Sequence, residues 1–145
     1  MTSSLRPNST QYLILHSSNS LPSQNLTAAD LERQHRYQGC LSIKYHFVIR
    51  RDGTVEAGRP LDQIGLHANK QYNKCSIGIC LVGGKGKDGK PEDNYTDAQY
   101  YSLWTVINGL RETFPQAKVV GWYELSQSPN ETSPHFNVQE WLNYY

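Results

Sequence analysis

Tyr45–Arg59 reads Y-H-F-V-I-R-R-D-G-T-V-E-A-G-R. Its first part, Tyr45–Arg50, is rich in aromatic and β-branched residues, and Thr54–Ala57 resumes in the same vein after Arg51-Asp52-Gly53. An Asp-Gly pair between two such runs marks a tight turn, so the stretch predicts a β-hairpin. Strand alternation sends Tyr45, Phe47 and Ile49 to one face and His46, Val48 and Arg50 to the other.

Outward from the hairpin, Tyr12–His16 (Y-L-I-L-H) and Ser76–Val82 (S-I-G-I-C-L-V) are short apolar runs, as expected of buried strands. Lys118–Gly121 predicts a further short strand. Thr27 caps a helix through about Tyr37, with Asp30 at its third position and Gly39 as the stop. Thr96 and Gln99 form a capping box for a long helix whose apolar face is Tyr100, Leu103, Ile107, Leu110 and Phe114. Pro115 ends it, and Asn137 caps a last helix running to about Tyr144. Ser17–Asn25 is a loop, and the Gly/Lys-rich Gly83–Asn94 predicts a mobile one. Strands and helices drawn from one core imply an α/β or α+β fold. Residues 1–10 are expected to form a flexible arm and 11–145 a single domain.

Composition narrows the function. A chain of 145 residues is long enough for one real core, and its 37% apolar content is helped by ten Tyr and three Trp. A net charge of +1 argues against nucleic acid or anionic lipid as partner. Lys85, Lys87 and Lys90, interleaved with Gly86 and Gly89, read as a solvated turn rather than a phosphate cradle. Three cysteines without C-x-x-C spacing do not make a disulfide framework, and Cys80 reads as a small buried hydrophobe. The first ten residues lack an apolar core of signal-peptide length, and no stretch approaches a membrane span. A cytoplasmic location is the expectation.

Three side chains stand out chemically. His16 closes an apolar strand beside Ser17 and Ser18, and rigid strand ends suit zinc ligands as well as histidines satisfied by backbone. Tyr45 is either core packing or a hydroxyl aimed at the cleft of His16. His67, in G-L-H-A-N, either orients a substrate carbonyl or water, or belongs to a surface loop.

The blocks L-H-S-S, Y-H-F-V-I-R-R-D-G-T-V-E-A-G-R, G-L-H-A-N-K-Q-Y-N and S-I-G-I-C-L-V-G-G, in that order, resemble the type-2 N-acetylmuramoyl-L-alanine amidases. This is the family of phage lysozymes and peptidoglycan recognition proteins. The resemblance runs from about Gln11 to Tyr144, and D-G-K-P-E-D-N-Y-T-D-A-Q is like the family's loop into its long helix. It implies a central mixed sheet flanked by about three helices, with a zinc cleft on one face. Active members cut the amide between N-acetylmuramic acid and L-alanine. Two His and a Cys, or an Asp in some members, hold the zinc, which activates a water and polarises the carbonyl. A tyrosine and, in phage-type members, a lysine stabilise the oxyanion.

Carried onto this chain, His16 matches the first ligand, Tyr45 the catalytic tyrosine and His67 a cleft histidine. The second ligand belongs to a G-H-x-D/E-type motif, which reads Gly121-Trp122-Tyr123-Glu124 here. The third belongs to a C-P-x-F-type motif, which reads Ser133-Pro134-His135-Phe136, and Glu131 occupies the lysine slot. Trp offers no lone pair to a metal, a Ser hydroxyl is a poor zinc ligand, and Glu131 reverses the charge where an oxyanion would form. A relocated His16–His135–Glu124 site would require backbone rearrangement, because residues two apart on an extended segment lie ~6–7 Å from one another.

No bound zinc and no confident catalytic residue are therefore expected, with His16, Tyr45 and His67 as remnants. The expected function is that of a pseudo-amidase holding a small ligand in the former zinc cleft. Its walls would be His16, Tyr45, His67, Trp122 and Tyr123, with Glu131, Ser133 and His135 completing the rim. A muropeptide and a nucleotide-type signalling molecule, sequestered as a phage anti-defence sponge, are the two ligand classes. Two alternatives stand beside it. One is a module that binds a host or phage protein through an outer surface such as Gly83–Asn94. The other is an active peptidoglycan amidase with a rearranged metal site. The resemblance places the chain in an infected or prophage-bearing bacterium.

Overall fold

The computed structural model describes residues 9–144, so residues 1–8 of the expected N-terminal arm lie outside the described residues. Five strands form one mixed sheet: β1 (Tyr12–Ser17), β2 (Phe47–Ile49), β3 (Val55–Ala57), β4 (Ser76–Leu81) and β5 (Lys118–Gly121), in the order β3-β2-β4-β1-β5. β1 pairs in parallel with both β4 and β5, β2 pairs in parallel with β4, and the β2–β3 hairpin is antiparallel. The helices are α1 (Ala28–Tyr37), α2 (Lys70–Asn73), α3 (Asp97–Thr113), α4 (Trp122–Leu125) and α5 (Val138–Leu142). Among the described residues no helix is long and apolar enough to cross a membrane.

The two sheet faces carry unequal loads. Leu13, Leu15, Ile77, Ile79 and Leu81 pack on one face against Leu103, Ile107 and Leu110 of α3 and Val138 of α5. Each such side chain, once buried, contributes about 1.5–3 kcal/mol, so this face holds the domain together. Among the described residues the opposite face carries a smaller cluster, Leu31 of α1 with Ile43, Val48, Cys80 and Val82. Alternation therefore leaves His16 of β1 on the lightly covered face, opposite Cys80 of β4 in the strand register.

Thr27 and Thr96 cap their helices as the sequence predicts, and in the structure each N-cap is part of a capping box. Gln99 does more than cap α3. It is fully buried, and its Nε2 donates to the carbonyls of Ile49 and Val82, tying the helix to β2 and to the residue that follows β4.

The structure corrects four sequence-based expectations. Regular pairing in β2 begins at Phe47, not Tyr45. The His46 imidazole enters the sheet, where its Nδ1 accepts the Gly78 N–H, and this interrupts the alternation. Tyr45 then packs with the Val48 cluster rather than beside Phe47 and Ile49. The Gly83–Asn94 loop is internally bonded: Lys85 bridges Pro91, and the Asn94 side chain accepts from Gly84 N–H and donates to Lys85 O. α5 ends at Leu142, short of Tyr144. The single-turn helices α2 and α4 are too short for a periodic signal, and the sequence does not announce them.

Candidate functional site

His16 is 4% exposed, and its Nε2 lies 2.8 Å from Nδ1 of His67. Glycines make room for that partner. A Cβ on Gly78 would come within 2.4 Å of the His67 ring, and one on Gly65 within 2.7 Å. His67 Nε2 is 3.2 Å from Ser76 Oγ, and that hydroxyl donates to Tyr72 O at 2.6 Å. The third imidazole, His46, lies with its ring centre 5.8 Å from that of His67. Burial lowers the pKa of His16 to about 3, that of His67 well below the ordinary range, and that of His46 in the same direction. All three rings are neutral at pH 7.

Tyr45 faces His16 with ring centres 5.4 Å apart. Burial, then the neighbouring Cys80, raises the pKa of its hydroxyl well above the usual value, and burial pushes the Cys80 thiol up to about 12. Burial also raises Tyr95, whose hydroxyl donates to Pro134 O at 2.7 Å. The site thus consists of polar groups that carry no charge at neutral pH.

Residues 121–136 close the site from above. Trp122, the first residue of α4, is half-buried, with its ring 5.9 Å from His16 and 6.4 Å from Tyr72. Ser133 is 4% exposed, and its Oγ accepts the Ser17 N–H at 2.8 Å. The Phe136 ring anchors this segment 5.3 Å from Tyr100 and 6.0 Å from Tyr95.

Three of the expected cleft residues face elsewhere. Tyr123 turns away from His16: its hydroxyl oxygen accepts the Val138 N–H, and its ring lines an outer groove of about 450 Å³. His135 lines the same groove, where its Nε2–H donates to Asn19 Oδ1 at 2.6 Å and its Nδ1 accepts from the Thr132 hydroxyl at 2.8 Å. Glu131 lines it too, and its carboxylate accepts the N–H groups of Thr132 and Ser133. Thus His16, Tyr45, His67, Trp122 and Ser133 come together, whereas Tyr123, Glu131 and His135 border the groove. Glu124 is taken up by the Gly121 N–H and Gln139, so it does not join His16 and His135. The sequence reading missed Ser76, Gly78, Cys80 and His46. Its signal lay in S-I-G-I-C-L, where Ser76, Gly78 and Cys80 alternate with the large apolar residues and so share the face of His16.

A family profile described as N-acetylmuramoyl-L-alanine amidase matches residues 6–135. The chain belongs to the type-2 N-acetylmuramoyl-L-alanine amidase family. It is 40% identical over 133 residues to the endolysin of Escherichia phage T7, covering 92% of this chain and 85% of that protein. The solved amidase LysC of Clostridium intestinale superposes with a TM-score of 0.76 at 24% identity, over 95% of this chain and 86% of that one. A Tyr-to-Phe variant of Drosophila PGRP-LB in complex with tracheal cytotoxin does so with a TM-score of 0.72 at 24% identity, over 94% and 88%. The amidase relatives tie this chain to peptidoglycan.

Zinc, which the family implies, does not match the donors at the family positions. His16 supplies one imidazole, Trp122 has no lone pair, and the Ser133 oxygen already accepts a backbone N–H. Among the described residues no group of three or more His, Cys, Asp or Glu side chains is placed to hold a metal ion.

Proposed function

We propose that this member of the amidase family binds a peptidoglycan fragment, an N-acetylmuramoyl peptide, without hydrolysing it. The observation that carries this reading is the engagement of the altered ligand positions. Ser133 is bonded to the strand that bears His16, and the Trp122 ring lies tilted beside that histidine with centres 5.9 Å apart. Two ligand positions have become parts of the packing.

What remains suits recognition. Trp122 and Tyr45 offer aromatic faces to the apolar side of a sugar, and neutral hydrogen-bonding groups orient an amide. Among the described residues at the site none carries the positive charge that an oxyanion requires, and the lysine position of phage-type members is Glu131. The muramoyl–L-alanine specificity of the family and the cytotoxin complex of PGRP-LB favour a peptidoglycan fragment over other small molecules.

Calorimetric titration with muramyl dipeptide (N-acetylmuramoyl-L-alanyl-D-isoglutamine) tests the reading, with a cyclic dinucleotide as comparison. Saturable heat with the former alone is expected. Saturation by the nucleotide alone would contradict it.

A further inference from the structure

The hydrogen bonds around His16 have a direction. The Ser76 hydroxyl spends its only proton on Tyr72 O, so toward His67 it can only accept. His67 must then carry its proton on Nε2, which leaves Nδ1 as an acceptor. The 2.8 Å contact between His67 Nδ1 and His16 Nε2 in turn requires the proton on His16 Nε2. The relay ends at His16 Nδ1, an unprotonated nitrogen with no hydrogen-bond partner among the described residues. His46 does not compete for His67, because its Nδ1 accepts from Gly78 and its Nε2–H donates to Gln63 O.

We infer that the Tyr72–Ser76–His67 relay fixes the tautomer of His16 and presents His16 Nδ1 as the acceptor for an N–H or O–H donor of the bound ligand. In an N-acetylmuramoyl peptide that donor is the amide N–H of the lactyl–alanine linkage or of the acetamido group. His16 is then a specificity-determining contact, and His67 and Ser76 are positioning residues. A buried acceptor left unpaired costs about 1–3 kcal/mol, so a ligand lacking the donor is rejected roughly 5- to 150-fold. This inference rests on the proposed function for the identity of the ligand, but its tautomer half does not.

Long-range ¹H–¹⁵N correlation spectra of the labelled protein at pH 7 test both halves. In the free protein, His16 is expected to show a pyrrole-type Nε2 and a pyridine-type Nδ1. Ser76→Ala is expected to populate the second tautomer at His67 and His16. Saturation with muramyl dipeptide is expected to shift His16 Nδ1 in the direction of an accepted hydrogen bond, and Ser76→Ala to weaken binding about tenfold. A pyrrole-type Nδ1 in the free protein overturns the inference whatever the ligand does. Calorimetric binding with an unmoved Nδ1 also overturns it and leaves the proposed function standing. The expected tautomer with no muramyl dipeptide binding overturns the proposed function and the acceptor role together.

Discussion

The hydroxyl oxygen of Ser133 accepts the backbone N–H of Ser17 at 2.8 Å, one residue past His16. The segment with the altered ligand positions is thereby bonded to the strand that holds the surviving imidazole. Restoring one donor breaks this bond without completing a metal site. Ser133→Cys alone is expected to bind no zinc, whereas Trp122→His with Ser133→Cys is expected to bind about one equivalent, read by elemental analysis after dialysis. Zinc retained by the unaltered protein would contradict the account of the donor set.

Acid should loosen this fold before the carboxylates titrate. An unfolded histidine takes up a proton near pH 6.5, whereas His16 in the folded chain stays neutral until about pH 3. Below pH 6.5 the unfolded state binds more protons, so stability falls as pH falls through that window. His67 and His46 shift in the same direction and add to the slope. The lowered carboxyls of Asp30 and Asp52 act only below their ordinary value of 3.8. Tm is expected to be flat between about pH 7 and pH 8, to decline from pH 6.5 to pH 4, and to fall again above the ordinary thiol value of 9.0, where Cys80 ionises in the unfolded chain but not in the folded one. A Tm unchanged down to pH 4 would refute neutral burial of the imidazoles.

Two glycines should respond oppositely to alanine. A Cβ on Gly78 would overlap the His67 ring, and displacing that ring breaks the relay to His16. Gly78→Ala is expected to cost about 1–3 kcal/mol in denaturant unfolding and to abolish ligand binding. Gly109 lies within α3 with open space around it. Gly109→Ala is expected to stabilise by about 0.5–1 kcal/mol, through lower chain entropy in the unfolded state.

Gln99 joins α3 to the sheet through two carbonyls as well as capping its own helix. Gln99→Leu keeps the volume and removes every one of these bonds. Unfolding by denaturant is expected to show a loss of roughly 2–4 kcal/mol. A loss below about 0.5 kcal/mol would mean that water replaces the amide at Ile49 and Val82.

Elements set by local chemistry were legible in the sequence. Thr27 announces its helix as an N-cap and Thr96 through a capping box, and the hairpin follows from Asp52-Gly53. His16, His67 and Trp122 were placed together because the order of the blocks resembles a known frame. Tyr123 and His135 were not legible. Adjacent residues diverge once a chain enters a helical turn, and α4 begins at Trp122, so Tyr123 faces the outer groove. His135 itself sits in the left-handed region at φ 76°, which no residue pattern signals. The Ser76–His67–His16 relay needed coordinates, because its direction depends on a carbonyl of α2.

The central claim is recognition without hydrolysis, and mass spectrometry of the recovered ligand tests it most directly. Muramyl dipeptide is incubated with the zinc-supplemented protein at neutral pH, beside an active endolysin relative. The account predicts that the ligand returns intact while the protein binds it. Release of the free L-alanyl-D-isoglutamine dipeptide at a rate set by added zinc would contradict it.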